Sequence, residues 1–290
     1  MSNPVLVPLS VPQEQKEVYV QNYKKITFDL GKLFLFAGDQ KIEHLNSDFY
    51  GKDISTADAT PEHMFKIASK AKIGAFATQL GLISRYGMDY KNINYVLKLN
   101  SKTNLVLEKQ KEPLSLMIND VDDVVQFKCN SKLNIVGVGY TVYLGSEYES
   151  QMLREAAQVV LNAHQNGMIA ILWMYPRGKA VKDQNSTQII AGAAGVAACL
   201  GADFVKVNPP KAKNSEQSAH DLKQAVLAAG RTKVICSGGT KKDEELFLKE
   251  LKDQINLGGA CGCAIGRNVH QRNLDDAIKF CNKITEIIYK

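Results

Sequence analysis

"GADFVKVNPP", residues 201–210, is a short β-rich run closed by two prolines, and amphipathic helical patterns flank it. "TQIIAGAAGVAACLG" (187–201) precedes it and "SEQSAHDLKQAVLAAG" (215–230) follows it. One strand between two helices is the repeating unit of a parallel sheet. The same alternation extends along the chain. Candidate strands are "LFLFAG" (33–38), "IGAFATQ" (73–79), "YVLKLN" (95–100), "NIVGVGYTV" (134–142), "MIAILWMYP" (168–176), "DFVKVN" (203–208), "KVICSGG" (233–239) and "ACGCAIG" (260–266). Two more helices are predicted over 146–167 and 241–255. Eight strand–helix units within 290 residues predict a single-domain (β/α)8 TIM barrel, with an open doubly wound sheet as the alternative. The expected division is an N-terminal extension, 1–25, and a barrel domain, 26–290.

Composition narrows the function classes. A 45% hydrophobic content supports a large core, and no 18-residue apolar run is present to span a membrane. The N-terminus lacks a basic segment followed by an apolar core, so no secretory signal is expected and a cytoplasmic location follows. Six cysteines without a CxxC pair read as reduced, mostly buried thiols. The net charge of +6 is carried by scattered pairs rather than a run, so no nucleic-acid partner is expected; a phosphorylated small molecule fits the charge as well. The five histidines show neither HxH nor HExxH spacing and no GxxxxGK is present, so neither metal nor cofactor is expected.

Function in such a barrel sits at the C-terminal ends of the strands. In the opening stretch, alternation puts Ala202, Phe204, Lys206 and Asn208 on one face and Val205 and Val207 on the other. Lys206 then points into the barrel near its top, with Asn208 beyond it. Desolvation there lowers an amine's pKa, and a neutral amine attacks carbonyl carbon to form a Schiff base. A lysine paired with a barrel carboxylate, or snorkelling to the rim, reads equally well from this strand alone. On the preceding strand, "ILWMYPRGK" places Trp173, Tyr175 and Arg177 together, as a water-excluding wall, a proton-transfer group and an anion-binding group.

Two glycine-rich strand ends, "CSGGTKKDEE" (236–245) and "CAIGRNVHQR" (263–272), each open a predicted helix and can offer backbone N–H groups to a phosphate, with Arg267 adding charge. The first strand runs into "AGDQKIEHLNSDF" (37–49), where Asp39, Glu43, His44 and Asp48 supply acid, base or hydrogen-bonding groups. A helix cap at Asp39 explains that residue equally well.

The ordered set "GDQKIEH", "WMYPRG", "DFVKV", "SGG" and "AIGRN" resembles the archaeal-type class I fructose-bisphosphate aldolase family, over about residues 30–272. The resemblance implies that Lys206 forms the Schiff base and Tyr175 moves the proton, with Asp39 and His44 beside the reacting carbons and Asp48 further along. It implies that Trp173 and Arg177 line the sugar channel and that Ser237, Gly238, Gly239, Gly266 and Arg267 hold the phosphate. It also implies a ring-based homo-oligomer, often a decamer, acting on fructose 1,6-bisphosphate in glycolysis and gluconeogenesis. The chain departs from the family's D-H-G-x-E-H-G-P loop, with Gln40 and Lys41 for His-Gly and Leu45 and Asn46 for Gly-Pro. "SGGTKK" replaces S-G-G-P-K, with Thr240 expected to cap the following helix. Two alternatives stay open: a related Schiff-base transferase or condensing enzyme acting on another keto-phosphate, and a barrel that only binds sugar phosphates.

Overall fold

The computed structural model describes residues 4–105 and 111–290. Its eight strands form a closed parallel barrel in chain order. They are β1 (Leu33–Ala37), β2 (Ala75–Thr78), β3 (Tyr95–Lys98), β4 (Ile135–Leu144), β5 (Ile169–Pro176), β6 (Phe204–Val207), β7 (Lys233–Ser237) and β8 (Gly262–Ile265). Each lies within a stretch expected to be extended, save that β4 runs two residues beyond its stretch. The helices are α1 (Lys16–Thr27), α2 (Gln40–Glu43), α3 (Glu62–Lys70), α4 (Leu80–Tyr86), α5 (Val121–Ser131), α6 (Glu149–Gln165), α7 (Thr187–Cys199), α8 (Ser215–Ala229), α9 (Glu244–Asn256), α10 (Arg267–His270) and α11 (Leu274–Tyr289). No helix of the described residues is long and apolar enough to cross a membrane. All six cysteines are free, with Cys129 and Cys199 exposed.

The two faces of each strand feed different clusters. Val205 and Val207 pack outward with Leu172 and Met174 against the helices, while Phe204 points inward with Ile169, Ile171 and Trp173. Ala202 departs from the expected alternation and joins the outer layer. It precedes the strand, on the turn where its N–H bonds the Ala197 carbonyl at the end of α7.

The inner cluster is sealed at the bottom by Val11, Tyr19 and Ile26. Helix α1 therefore crosses the expected boundary at residue 25 and plugs the barrel floor; residues 1–3 of the extension lie outside the described residues. Asp203 anchors this end. It accepts from the Tyr19 hydroxyl at 2.5 Å and the Ala170 N–H at 2.8 Å, and lies 3.1 Å from His164 Nε2. Ser10 Oγ meets the other ring nitrogen of His164 at 2.7 Å, pinning the extension.

At the top, β4 and β5 are the longest strands and stay paired from Gly137↔Ile169 to Leu144↔Pro176. That length lifts Tyr143 and Tyr175, partners in the register, to the barrel mouth.

Candidate active site

Lys206 sits opposite Trp173 in the β5–β6 register, and its Nζ lies 5.3 Å from the centre of the indole ring. It is 5% exposed, and among the described residues it makes no hydrogen bond or ion pair. Burial pushes its ammonium below the ordinary lysine value; the carboxylates of Asp39 and Glu43 oppose that shift without overcoming it. Among the described residues, Lys206 is therefore not the lysine paired with a carboxylate that its strand alone allowed.

A second buried lysine, Lys98 on β3, does meet that description. Its Nζ is 2.7 Å from the Asn100 carbonyl, 3.2 Å from Asn100 Oδ1 and 3.3 Å from Glu43 Oε1, and it lies 5.4 Å from the same indole ring. The two amines thus share one tryptophan but differ in partners. Lys98 is held by three acceptors and fixes Glu43, while Lys206 has none and is the amine disposed to lose its proton. Trp173 reaches this position because β4 has Gly139 there; a methyl group at Gly139 would collide with the indole ring.

The loop after β1 brings the charges of Asp39 and Glu43 to bear on the lysine. Asp39 stands at the N-terminus of α2 but caps nothing with its side chain, and its Oδ1 is buried without a partner. Gln79 holds the Asp39 carbonyl at 3.2 Å. Glu43 Oε1 also accepts from Ser101 at 3.2 Å. His44 Nδ1 hydrogen-bonds Asp48, whose carboxylate lies 3.7 Å from the Arg267 guanidinium. Burial, then the charges of Asp39 and Glu43, raise the Tyr175 phenol far above its ordinary value, so it holds its proton. Arg177 covers the rings of Tyr175 and Tyr143 at 5.3 and 5.5 Å. Beside Arg177 at the rim lies a cavity of about 820 Å³ whose lining includes Lys102, Lys179, Lys182 and Lys211.

The opposite wall is formed by the loops after β7 and β8. Ser237 Oγ donates to Asn208 Oδ1 at 2.6 Å, joining two of the expected binding residues. Asn268 donates to the carbonyls of Gly238 and Thr240, both at 3.1 Å, and accepts from the Lys242 N–H at 2.9 Å, so it shapes the glycine turn. Gly239 adopts φ +65°, a left-handed conformation that glycine reaches without strain. The first glycine loop does not lead directly into a helix as expected. Helix α9 starts at Glu244 and is capped by Asp243, whose Oδ1 accepts from Leu246 N–H at 3.0 Å, so Thr240 is not the cap. The second loop does, with Gly266 at the start of the single-turn α10.

Among the described residues, the buried polar atoms without hydrogen-bond partners include Asp39 Oδ1, Thr141 Oγ1, Trp173 Nε1 and Arg267 Nε. Buried polar atoms are normally satisfied, so a set of orphans around one lysine is the mark of a ligand site. The expected site residues all fall at the C-terminal ends of the strands or on the loops that follow them: Trp173, Tyr175 and Arg177 at the end of β5, Lys206 and Asn208 at β6, Asp39, His44 and Asp48 after β1, and Ser237, Gly238, Gly239, Gly266 and Arg267 at the ends of β7 and β8. Sequence reasoning missed Lys98, Asn100 and Asn268. Lys98 carries the same signal as Lys206, a cation inside an apolar strand run.

A buried amine without a partner, at the top of an eight-stranded barrel and between an acidic loop and two glycine turns, defines a lysine-centred (β/α)8 aldolase. The family model described as DeoC/LacD family aldolase matches residues 33–272, and the chain belongs to that family. The "Fructose-bisphosphate aldolase/6-deoxy-5-ketofructose 1-phosphate synthase" of Methanocaldococcus jannaschii is 59% identical over 283 residues, covering 98% of this chain and 90% of its own. A fructose-bisphosphate aldolase from Slackia heliotrinireducens has a solved structure that is 52% identical with a TM-score of 0.95, covering 99% of this chain and 91% of its own. An archaeal fructose-1,6-bisphosphate aldolase, solved with its catalytic lysine bound to the carbinolamine intermediate, is 33% identical with a TM-score of 0.79; the match covers 94% of this chain and 100% of that one. The resemblance drawn from the motifs therefore extends to whole-chain relatives.

Proposed function

We propose that this chain is a class I, Schiff-base aldolase acting on a ketose phosphate, with fructose 1,6-bisphosphate as the leading substrate. The observation that carries the reading is Lys206 beside Trp173, without a hydrogen-bond or ion-pair partner among the described residues and with its ammonium pushed below the ordinary lysine value by burial, set against the fully bonded Lys98. Lys206 Nζ attacks the ketone carbon and gives a carbinolamine. Tyr175, whose phenol holds its proton, donates it to the departing hydroxyl, so that water leaves and an iminium forms. The resulting phenolate takes the C4 hydroxyl proton. The C3–C4 bond breaks, its electron pair moves into the iminium, and an enamine of dihydroxyacetone phosphate and glyceraldehyde 3-phosphate result. Protonation of the enamine and hydrolysis of the imine release the second triose and regenerate Lys206.

The other residues take supporting roles. Ser237, Gly238, Gly239, Gly266 and Arg267 hold the phosphate next to the imine carbon, with Asn208 orienting Ser237. Asp39 and His44 face the sugar hydroxyls, and Asp48 steadies His44 and Arg267. Arg177 and the cationic rim cavity receive the distal phosphate. Fixing both ends aligns the reacting carbons.

A second reading keeps the same enamine and changes its partner aldehyde. It is favoured by the altered loop at Gln40–Asn46 and by the two activities named for the Methanocaldococcus jannaschii relative. We further place the protein in the cytoplasm as a homo-oligomer serving glycolysis or gluconeogenesis, with residues 26–290 as the barrel and 1–25 as an extension whose helix α1 runs on into the barrel floor. Borohydride trapping with several keto-phosphates, followed by mass spectrometry, tests the chemistry. An adduct on Lys206 with dihydroxyacetone phosphate is expected; a chelator-sensitive enzyme that borohydride leaves unmodified would sink the reading. Cleavage of fructose 1,6-bisphosphate against formation of new products with other aldehydes separates the two substrate readings.

A further inference from the structure

Behind the Asp39 loop lies a buried chain of polar groups to which the catalytic cycle gives no role. His270, at the end of α10, is fully buried, as is Asp58 on the 3-10 turn Thr56–Ala59. His270 Nδ1 is 2.7 Å from Asp58 Oδ2, and His270 Nε2 is 3.0 Å from Gln40 Oε1. Gln40 in turn fills the space that a side chain at Gly266 would need, so its amide lies against the phosphate loop. The Phe49 ring stacks on the His270 ring at 5.0 Å, and Lys41 Nζ sits 3.8 Å over the other end of that stack while donating to the carbonyls of Asp58 and Ala59. Gln40 and Lys41 are the two residues by which the chain departs from the family's His-Gly. Here both are anchored by this assembly.

We propose that Asp58 and His270 are positioning residues that act through Gln40 to set the spacing between the Asp39 loop and the phosphate loop at Gly266–Arg267. The chain joins two walls of one site. Asp39 is the neighbour of Gln40, and Gly266 is both the N-cap residue of α10 and, through its carbonyl, the acceptor of the His270 N–H at 3.0 Å. A side chain that holds Gln40 against Gly266 therefore fixes the loop carrying Asp39 and the loop carrying Arg267 together, which is the geometry on which binding of the phosphate-bearing end depends. Lys206 is on β6 and has no hydrogen bond to this chain of groups among the described residues, so imine formation at saturating substrate is left intact. The role assigned to the phosphate loop rests on the aldolase reading; the contacts that tie it to Gln40 do not.

The experiment measures inorganic phosphate binding by calorimetry, alongside kcat and KM for fructose 1,6-bisphosphate, in Gln40→Ala, His270→Phe and their double variant. Loss of outer supporting contacts is expected to weaken phosphate binding and raise KM by about tenfold in each single variant. The double variant should be no worse than either single one, because both break the same chain. Borohydride should still attach dihydroxyacetone phosphate to Lys206. His270→Gln, whose amide can bond both Asp58 and Gln40, should restore most of the loss. Should His270→Phe fail to fold, Gln40→Ala against wild type still decides, because Gln40 is only half-buried and lies outside the hydrophobic core. Unchanged phosphate affinity and KM in folded variants, with only the melting temperature lowered, would overturn the proposal. A wild-type protein that binds phosphate through this chain but forms no borohydride adduct would overturn the aldolase reading and leave the positioning role standing.

Discussion

Trp173 and Lys206 are register partners on β5 and β6, and the centre of the indole ring lies 5.3 Å from Lys206 Nζ and 5.4 Å from Lys98 Nζ. One aromatic wall thus serves an amine that must lose its proton and an amine bonded to three acceptors.

Replacing Lys206 with Met should abolish cleavage, to the order of 10⁶-fold as when a covalent nucleophile is removed, and should eliminate borohydride trapping. The same change should stabilise the fold. The pKa of Lys206 is lowered on folding, so the unfolded chain binds more protons there. The penalty is complete below the folded-state pKa and fades as pH rises towards the ordinary lysine value of 10.5. Melting curves across pH should therefore show the largest gain for Lys206→Met at the acid end of the range and a shrinking gain towards pH 10.

Tyr175→Phe removes the proton carrier but leaves the ring that Arg177 covers. Turnover should fall by about 10²–10⁴-fold, with the fold intact. Single-turnover trapping should show the adduct forming slowly on Lys206, and an unchanged trapping rate would assign the dehydration proton elsewhere.

Gly139→Ala probes the space beneath the indole ring. Overpacking should cost about 1–3 kcal/mol in urea unfolding and push Trp173 towards the lysines. Since the chain has one tryptophan, its fluorescence reports that movement directly. A variant with wild-type emission and wild-type kcat would mean that the barrel absorbs the methyl group elsewhere.

Lys98→Met should destabilise the protein by about 3–5 kcal/mol, because it leaves Glu43 without its buried cation. Adding Glu43→Gln should recover part of that loss, which a double-mutant cycle by chemical denaturation measures.

The strands were legible because each is a short apolar run between helical patterns, and period-two alternation then aimed Lys206, Trp173 and Tyr175 inward. Local patterns could not reveal partners distant in the chain. Lys98 and Lys206 read alike as cations in apolar strands, and only the fold shows that Asn100 and Glu43 claim one of them. The cap expected at Thr240 went instead to Asp243, since both are acceptable cap residues and the length of the loop decides between them. Gln40 looked like lost punctuation in the first loop. Its pairing with His270, 230 positions away, was beyond any reading of neighbouring residues.

Strand β6 begins one residue after Asp203, which the barrel floor holds through Tyr19 and His164, and it carries Lys206 three residues further on. At about 3.3 Å per residue the strand acts as a ruler of about 10 Å, with its zero mark fixed at the floor. A single inserted or deleted residue between these two positions would turn the amine outward to the helices, however well every residue around the mouth were preserved. The height of the nucleophile is therefore set from below, by groups that never meet the substrate.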